Sequence, residues 1–178
     1  MRAWGMVCAT LALGSCSVLQ PEETGLNPGG EEIEVTTSAA PMYQAKDITN
    51  TEVTTNLAAP QKDEGLGVTW TLQGVYSDTY RGSVLTVLLH NNNDMPLPVD
   101  AVKDPILEVS DGMGGWKRVE LLPYDPELNA DVLPPGLDVP LGAGASTNLQ
   151  YRVDSTVGGL WKARLTMGNI TWVGNLNL

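Results

Sequence analysis

The chain has 178 residues, 42% of them hydrophobic, with 21 acidic against 10 basic side chains and a formal net charge of −11. Such acidity, without a cluster of Lys or Arg, excludes nucleic acid as a partner class and excludes electrostatic adhesion to anionic lipid head groups. One domain is expected at this length, and a single histidine removes most acid–base and zinc chemistry.

An uncharged run over residues 3–13 follows Arg2 and ends in Leu13-Gly14-Ser15-Cys16. It falls short of the roughly 20 residues a permanent membrane helix needs, and its flanks are those of a cleaved export signal over residues 1–15. The order Leu-small-small-Cys resembles the bacterial lipobox, which implies that the Cys16 thiol is acylated and becomes the mature N-terminus. Cys8 leaves with the signal, so no disulfide is expected and the core must hold by apolar burial alone. Removing Arg2 with the signal takes the net charge from −11 to −12, so no polybasic patch assists the anchor. At about 0.8 kcal/mol per buried methylene, one acyl chain binds marginally and two or more hold firmly.

Residues 16–42 are rich in Glu, Thr, Ser, Pro and Gly, as in Asn27-Pro28-Gly29-Gly30-Glu31-Glu32, and read as a disordered acidic tether. As a flexible coil it reaches about 30 Å, enough to lift a domain clear of head groups. Residues 43–65 are ambiguous, with isolated apolar points at Ile48, Val53 and Leu57, and read as one weak edge strand or none. The organised region is expected over residues 66–178.

There, residues 68–73 alternate apolar and polar with period two, as a half-buried strand does. A turn-rich break at residues 77–82 precedes Ser83-Val84-Leu85-Thr86-Val87-Leu88-Leu89-His90-Asn91, whose near-continuous apolar character predicts a central strand covered on both faces. Asn91-Asn92-Asn93-Asp94 with Pro96 and Pro98 ends it. Further strands are predicted over residues 106–110, 116–122, 148–153, 161–167 and 170–173, each bounded by Gly, Pro, Asn or Asp, and no segment keeps a helical period. Several short strands with frequent turns predict an all-β protein, an immunoglobulin-like antiparallel β-sandwich following the lipidated tether.

Residues 66–178 resemble bacterial surface and secreted proteins with one telokin-like, or immunoglobulin-like, extracellular domain. The features that carry the resemblance are the long strand closing in Leu89-His90-Asn91, the Asp111-Gly112 turn, Leu133-Pro134-Pro135-Gly136 before Leu141-Gly142-Ala143-Gly144-Ala145-Ser146, and a final strand pair toward Trp161 and Trp172. With the lipobox and acidic tether, the whole is similar to an actinobacterial cell-envelope lipoprotein, which implies no catalytic residues.

The chemistry-bearing residues are few. His90 would have to serve any Ser-His-Asp site, yet no Gly-x-Ser-x-Gly elbow is present and the sequence places no Ser beside it. Copper would draw on His90 with Met95, and on Met113 or Met167 if the fold brought them near, since imidazole and thioether suit that metal. Calcium would draw on Asp125, Glu127, Asn129 and Asp131, whose oxygens fall at alternate positions, but an EF-hand-like loop needs Gly at its sixth position and Glu at its twelfth, where Ala130 and Gly136 stand. The bland reading is an acidic surface loop, and Asp100, Asp104, Glu108 and Asp111 read alike. Of Trp70, Trp116, Trp161 and Trp172, at least two are expected in the core in place of the absent Phe, and Trp116, after Gly112-Met113-Gly114-Gly115, is the first candidate for a contact surface at a loop tip. Asn169-Ile170-Thr171 matches a glycosylation sequon that has little meaning in a bacterial lipoprotein.

These readings converge on a non-catalytic protein with no cofactor, held at the extracytoplasmic face of the cell membrane through Cys16. Its expected partner is a protein of the envelope or of a membrane complex. The alternative from another class is a lipoprotein that handles copper or calcium.

Overall fold

The run that reads most plainly as a strand, Ser83–Asn91, is one, and the rest of the domain is laid against it. The computed structural model describes residues 42–178; the expected signal segment with Leu13, Gly14, Ser15 and Cys16, and the tether up to residue 41, lie outside the described residues. In chain order the strands are β1 (Thr51–Val53), β2 (Gln61–Asp63), β3 (Val68–Ser77), β4 (Ser83–Asn91), β5 (Ile106–Ser110), β6 (Trp116–Val119), β7 (Ser146–Val153), β8 (Ala163–Met167) and β9 (Ile170–Gly174). They form an all-β sandwich of a four-stranded sheet, ordered β2-β3-β4-β7, and a five-stranded sheet, ordered β1-β9-β8-β5-β6.

The core lies between the sheets. From the four-stranded sheet come Trp70, Leu72, Leu85, Val87, Leu89, Leu149 and Tyr151, and from the other Leu107, Ala163, Leu165, Met167 and Trp172, all buried. Each fully buried Leu contributes about 1.5–3 kcal/mol, so a domain whose described residues contain no cysteine needs no cross-link to hold. Leu57, Leu97, Leu160 and Leu176, from loops, close the same cluster.

Three sequence expectations change. β4 is central, between β3 and β7, but only its inner side chains and Val84 are fully buried; Thr86, Leu88 and His90 on the outer face are half-exposed, so one face is covered and not both. Residues 43–65 supply two short strands, one to each sheet, and so belong to the sandwich. β1 runs parallel to β9, with Thr51 opposite Ile170 and Val53 opposite Trp172, whereas every other pairing between the described strands is antiparallel.

What joins the sheets at one end is a buried carboxylate. Asp63, 1% exposed, accepts hydrogen bonds from the N–H groups of Gly65 (3.0 Å) and Leu66 (3.1 Å) in the β2–β3 turn and from Trp70 Nε1 (3.2 Å) in the core. From the opposite sheet it accepts from Asn169 N (2.9 Å) and Asn169 Nδ2 (2.8 Å) in the two-residue β8–β9 turn. The turn passes so close that a Cβ at Gly168 (φ +53°) would lie 2.3 Å from Asp63 Oδ2, so that position requires glycine on both counts. Next to this corner, Gly67 (φ +66°) leaves room for Asn93, whose Nδ2 donates to the carbonyls of Leu66 and Gly67, both at 3.0 Å. Asn91, fully buried, completes the end of β4 by donating to the carbonyls of Met95, Leu141 and Gly142.

Burial alone would raise the Asp63 pKa; the hydrogen bonds from Asn169, Leu66 and Trp70 outweigh it and hold the carboxyl below its ordinary value. A folded-state pKa below the unfolded one stabilises the fold at pH above about 4, and that stabilisation is lost as pH falls through the lowered value. Asn is no conservative replacement here, since both oxygens accept and an amide NH2 on either side would face two or more N–H donors. Asp63→Asn and Asp63→Ala are each expected to cost on the order of 3 kcal/mol in urea unfolding at pH 7. The deficit of Asp63→Ala should shrink at pH 3, and an unchanged deficit would refute the charged role.

Candidate functional site

β7 is the outer strand of its sheet, and the direction of its free amides follows from its contacts. At its C-terminal end the Leu122 N–H donates to Arg152 O (2.8 Å) and the Asp154 N–H donates to Glu120 O (2.9 Å), so the backbone groups of Arg152 face away from β4. By the two-residue period of a strand, those of Gln150 and Asn148 face the same way, and among the described residues no backbone group meets them. This leaves an open sheet edge.

Beside that edge lies a cleft of about 270 Å³, lined by the apolar side chains of Leu121, Leu122, Pro123, Tyr124, Leu133 and Pro135 and by Asp104, Gln150, Tyr151 and Arg152. The segment over it is tied to the outer face of β7. Gln150 Oε1 accepts from Leu133 N (2.7 Å), Gln150 Nε2 donates to the Tyr76 hydroxyl (3.2 Å), and an Arg152 terminal nitrogen donates to Pro123 O (2.6 Å). Arg152 is also ion-paired with Asp78 at 2.5 Å, both side chains being nearly inaccessible. Burial pushes the Asp78 carboxyl up, and hydrogen bonds from Arg152 and Tyr80 with the guanidinium charge bring it below its ordinary value. The charge of Arg152 is thus spent within the protein, and Asp104 is the exposed charge left at the cleft.

Tyr151 is 1% exposed and its hydroxyl finds no hydrogen-bond partner. Burial, and secondarily the Asp104 charge, push this phenol far above its ordinary pKa, so it stays a neutral hydroxyl.

The residues singled out for chemistry are dispersed. His90 Nδ1 lies 2.8 Å from Ser146 Oγ, correcting the expectation that no Ser stands beside it; the register of β4 with β7 places them opposite each other. On its other side His90 faces Thr69, a neutral residue, so the pair has no carboxylate in register to orient the imidazole, and neither residue lines the cleft. The three candidate methionines for copper lie in different places. Met167 is buried in the core, Met113 is 95% exposed in the β5–β6 turn, and Met95 lines a separate cleft of about 620 Å³ with Met42, Tyr43 and three prolines. In the acidic loop, Asp125 Oδ1 accepts from Glu127 N and Asn129 Oδ1 from Asp125 N, with Asn129 itself buried, so these oxygens serve the turn. Among the described residues no group of three His, Cys, Asp or Glu is placed to hold a metal ion.

Trp70 and Trp172 are core residues, while the two remaining tryptophans exchange roles. Trp116 is not at the loop tip: it begins β6, half-exposed, with the Arg164 guanidinium 5.0 Å from its ring centroid. Trp161, expected to start a strand, follows the 3-10 turn Val157–Leu160, in which the Thr156 hydroxyl accepts from the Gly159 N–H, and it projects outward with 67% exposure. Sequence reasoning missed Asp63, Tyr151 and the β7 edge; none carries a local signal, because each depends on which strand lies beside which.

Among the described residues no helix is long and apolar enough to cross a membrane. No protein-family model, no curated protein and no solved structure matches this chain.

A buried hydroxyl without a partner costs about 1–3 kcal/mol relative to an apolar atom. Tyr151→Phe is therefore expected to stabilise the domain by about 1 kcal/mol in thermal or urea unfolding, and a destabilised variant would show that the hydroxyl has a partner in solution.

Proposed function

We propose that the chain is a lipid-anchored extracytoplasmic binding protein without a catalytic role, held at the membrane through Cys16 and engaging an envelope protein through the open edge of β7. The observation that carries this reading is the unpaired edge at Asn148 and Gln150 with an apolar cleft directly beside it. An extended segment of a partner would complete the ladder with main-chain hydrogen bonds and seat an alternate side chain in the cleft. Dispersed Met side chains, and Asp125 and Asn129 oxygens that accept within their own turn, give no comparable support to metal handling.

The strand arrangement supports the immunoglobulin-like reading, while the resemblance to telokin-like envelope lipoproteins rests on the sequence alone. β4 lies beside β7, with β5 and β6 of the other sheet between them in sequence, and β5 lies beside β8, with β7 of the other sheet among the intervening strands. Binding rather than chemistry is the role that resemblance implies. The membrane address rests on the apolar run and on Leu13-Gly14-Ser15-Cys16.

Two substitutions separate the anchor from the edge. Cys16→Ala should leave a folded protein in the soluble fraction; retention on washed membranes would refute the lipid anchor. Asn148→Pro removes an outward-facing N–H, a change an edge strand tolerates. It should keep the melting temperature within about 2 °C and abolish a stoichiometric cross-linked protein seen with the unmodified chain in mild detergent extracts. A partner retained by Asn148→Pro would refute strand addition at β7.

A further inference from the structure

We propose that the cleft beside β7 receives a basic side chain of the partner's strand, its apolar stem packed on Leu121, Leu122 and Leu133 and its cationic head held by Asp104 and the Tyr151 hydroxyl. This rests on the strand-addition reading of the β7 edge and gives the added strand a sequence preference.

The cleft, of about 270 Å³, combines apolar walls with an uncompensated negative charge. Asp104 is exposed and makes no ion pair among the described residues, its neighbour Lys103 included. Arg152, the cation in the cleft lining, is already used by Asp78 and the carbonyl of Pro123. A second carboxylate adds to the field: Asp131, exposed and likewise without an ion pair among the described residues, acts on Tyr76, whose hydroxyl accepts from the cleft residue Gln150. A cation entering here gains Coulomb energy that no side chain of the protein has taken up.

Tyr151 is the independent sign of a ligand. It lines the same cleft, is 1% exposed, and leaves its hydroxyl without a hydrogen-bond partner. Asp104 lies near enough for its charge to act on that phenol, which places hydroxyl and carboxylate together at the cleft. A neutral hydroxyl can accept from an N–H donor, and the donor would satisfy both groups at once. An apolar side chain would leave the hydroxyl unpaired, and a carboxylate would meet the like charge of Asp104. A long apolar stem ending in several N–H donors is the common chemistry of Lys and Arg, and a chain of net charge −11 draws a basic segment toward it.

The purified full chain is titrated, with amide shifts as the readout, against capped heptapeptides Thr-Val-Thr-X-Thr-Val-Thr in which X is Lys, Arg, Gln or norleucine. The Lys and Arg peptides should bind with a millimolar or tighter Kd, and the Gln and norleucine peptides about fivefold more weakly. Asp104→Asn should weaken the basic peptides about fivefold and leave the norleucine peptide unchanged. Tyr151→Phe should weaken the basic peptides about threefold while raising the melting temperature, a pairing of opposite signs that a purely structural role would not produce. Equal affinity for the Lys, Gln and norleucine peptides, or basic-peptide affinity unchanged in Asp104→Asn, would overturn the proposal; loss of all binding in Asn148→Pro would then still uphold strand addition. Basic selectivity that survives Asn148→Pro would uphold the pocket and overturn strand addition, and no binding of any peptide at millimolar concentration would overturn both.

Discussion

The sandwich turns on one carboxylate. Asp63 sits where two chain reversals from opposite sheets pass within hydrogen-bonding distance, and its two oxygens satisfy four different residues across them. Packed sheets are otherwise held by apolar contacts, which set spacing but tolerate sliding and small rotations. Directional bonds from Asn169 on one side and Gly65, Leu66 and Trp70 on the other fix where the sheets lie along each other. A charge is tolerable in that position because every nearby donor is aimed at it. The asparagines at the end of β4 continue the same device outward, tying the carbonyls of neighbouring turns to the end of the strand.

How much of this was legible depends on what each residue reports locally. β4 and β5 occupy the spans expected of them because their side chains alternate or run apolar over several residues and Asn, Pro or Gly punctuate them. β1 and β2 are three residues each, with one buried side chain apiece, and in β2 that side chain is Asp63, which hydropathy reads as solvent-facing. The His90–Ser146 pair joins positions 56 residues apart through a register that no local pattern encodes. Trp161 shows the limit most clearly: its neighbours alternate like a strand, but a capped turn puts Leu160 into the core and leaves the indole outside. The clustering of Glu52, Glu108, Arg118, Arg164 and Thr166 on the outer face of the five-stranded sheet is invisible for the same reason, since these residues come from separate strands.

The two sheets divide the surface by character. The four-stranded sheet offers main-chain hydrogen bonding at an open edge with an apolar cleft beside it, and its nearby Arg152 is fully committed to Asp78 and Pro123. The five-stranded sheet offers a broad polar face where Arg118 and Arg164 are matched in number by Glu52 and Glu108. In a chain this acidic such a face is the exception, and the strand register that creates it also supports the core behind it.

The parallel pairing of β1 with β9 sets how the domain carries load. A pull transmitted through Met42 and Leu178 acts on strands that point the same way, at the leading end of β1 and the trailing end of β9. The force then runs along the strands and strains their shared hydrogen bonds together, where an antiparallel pair pulled from a common end would open one bond at a time. Resistance of that kind is governed by the unfolding rate and not by equilibrium stability. Val53, seated against the core beside Trp172, gives that short parallel pair its apolar hold on the sandwich.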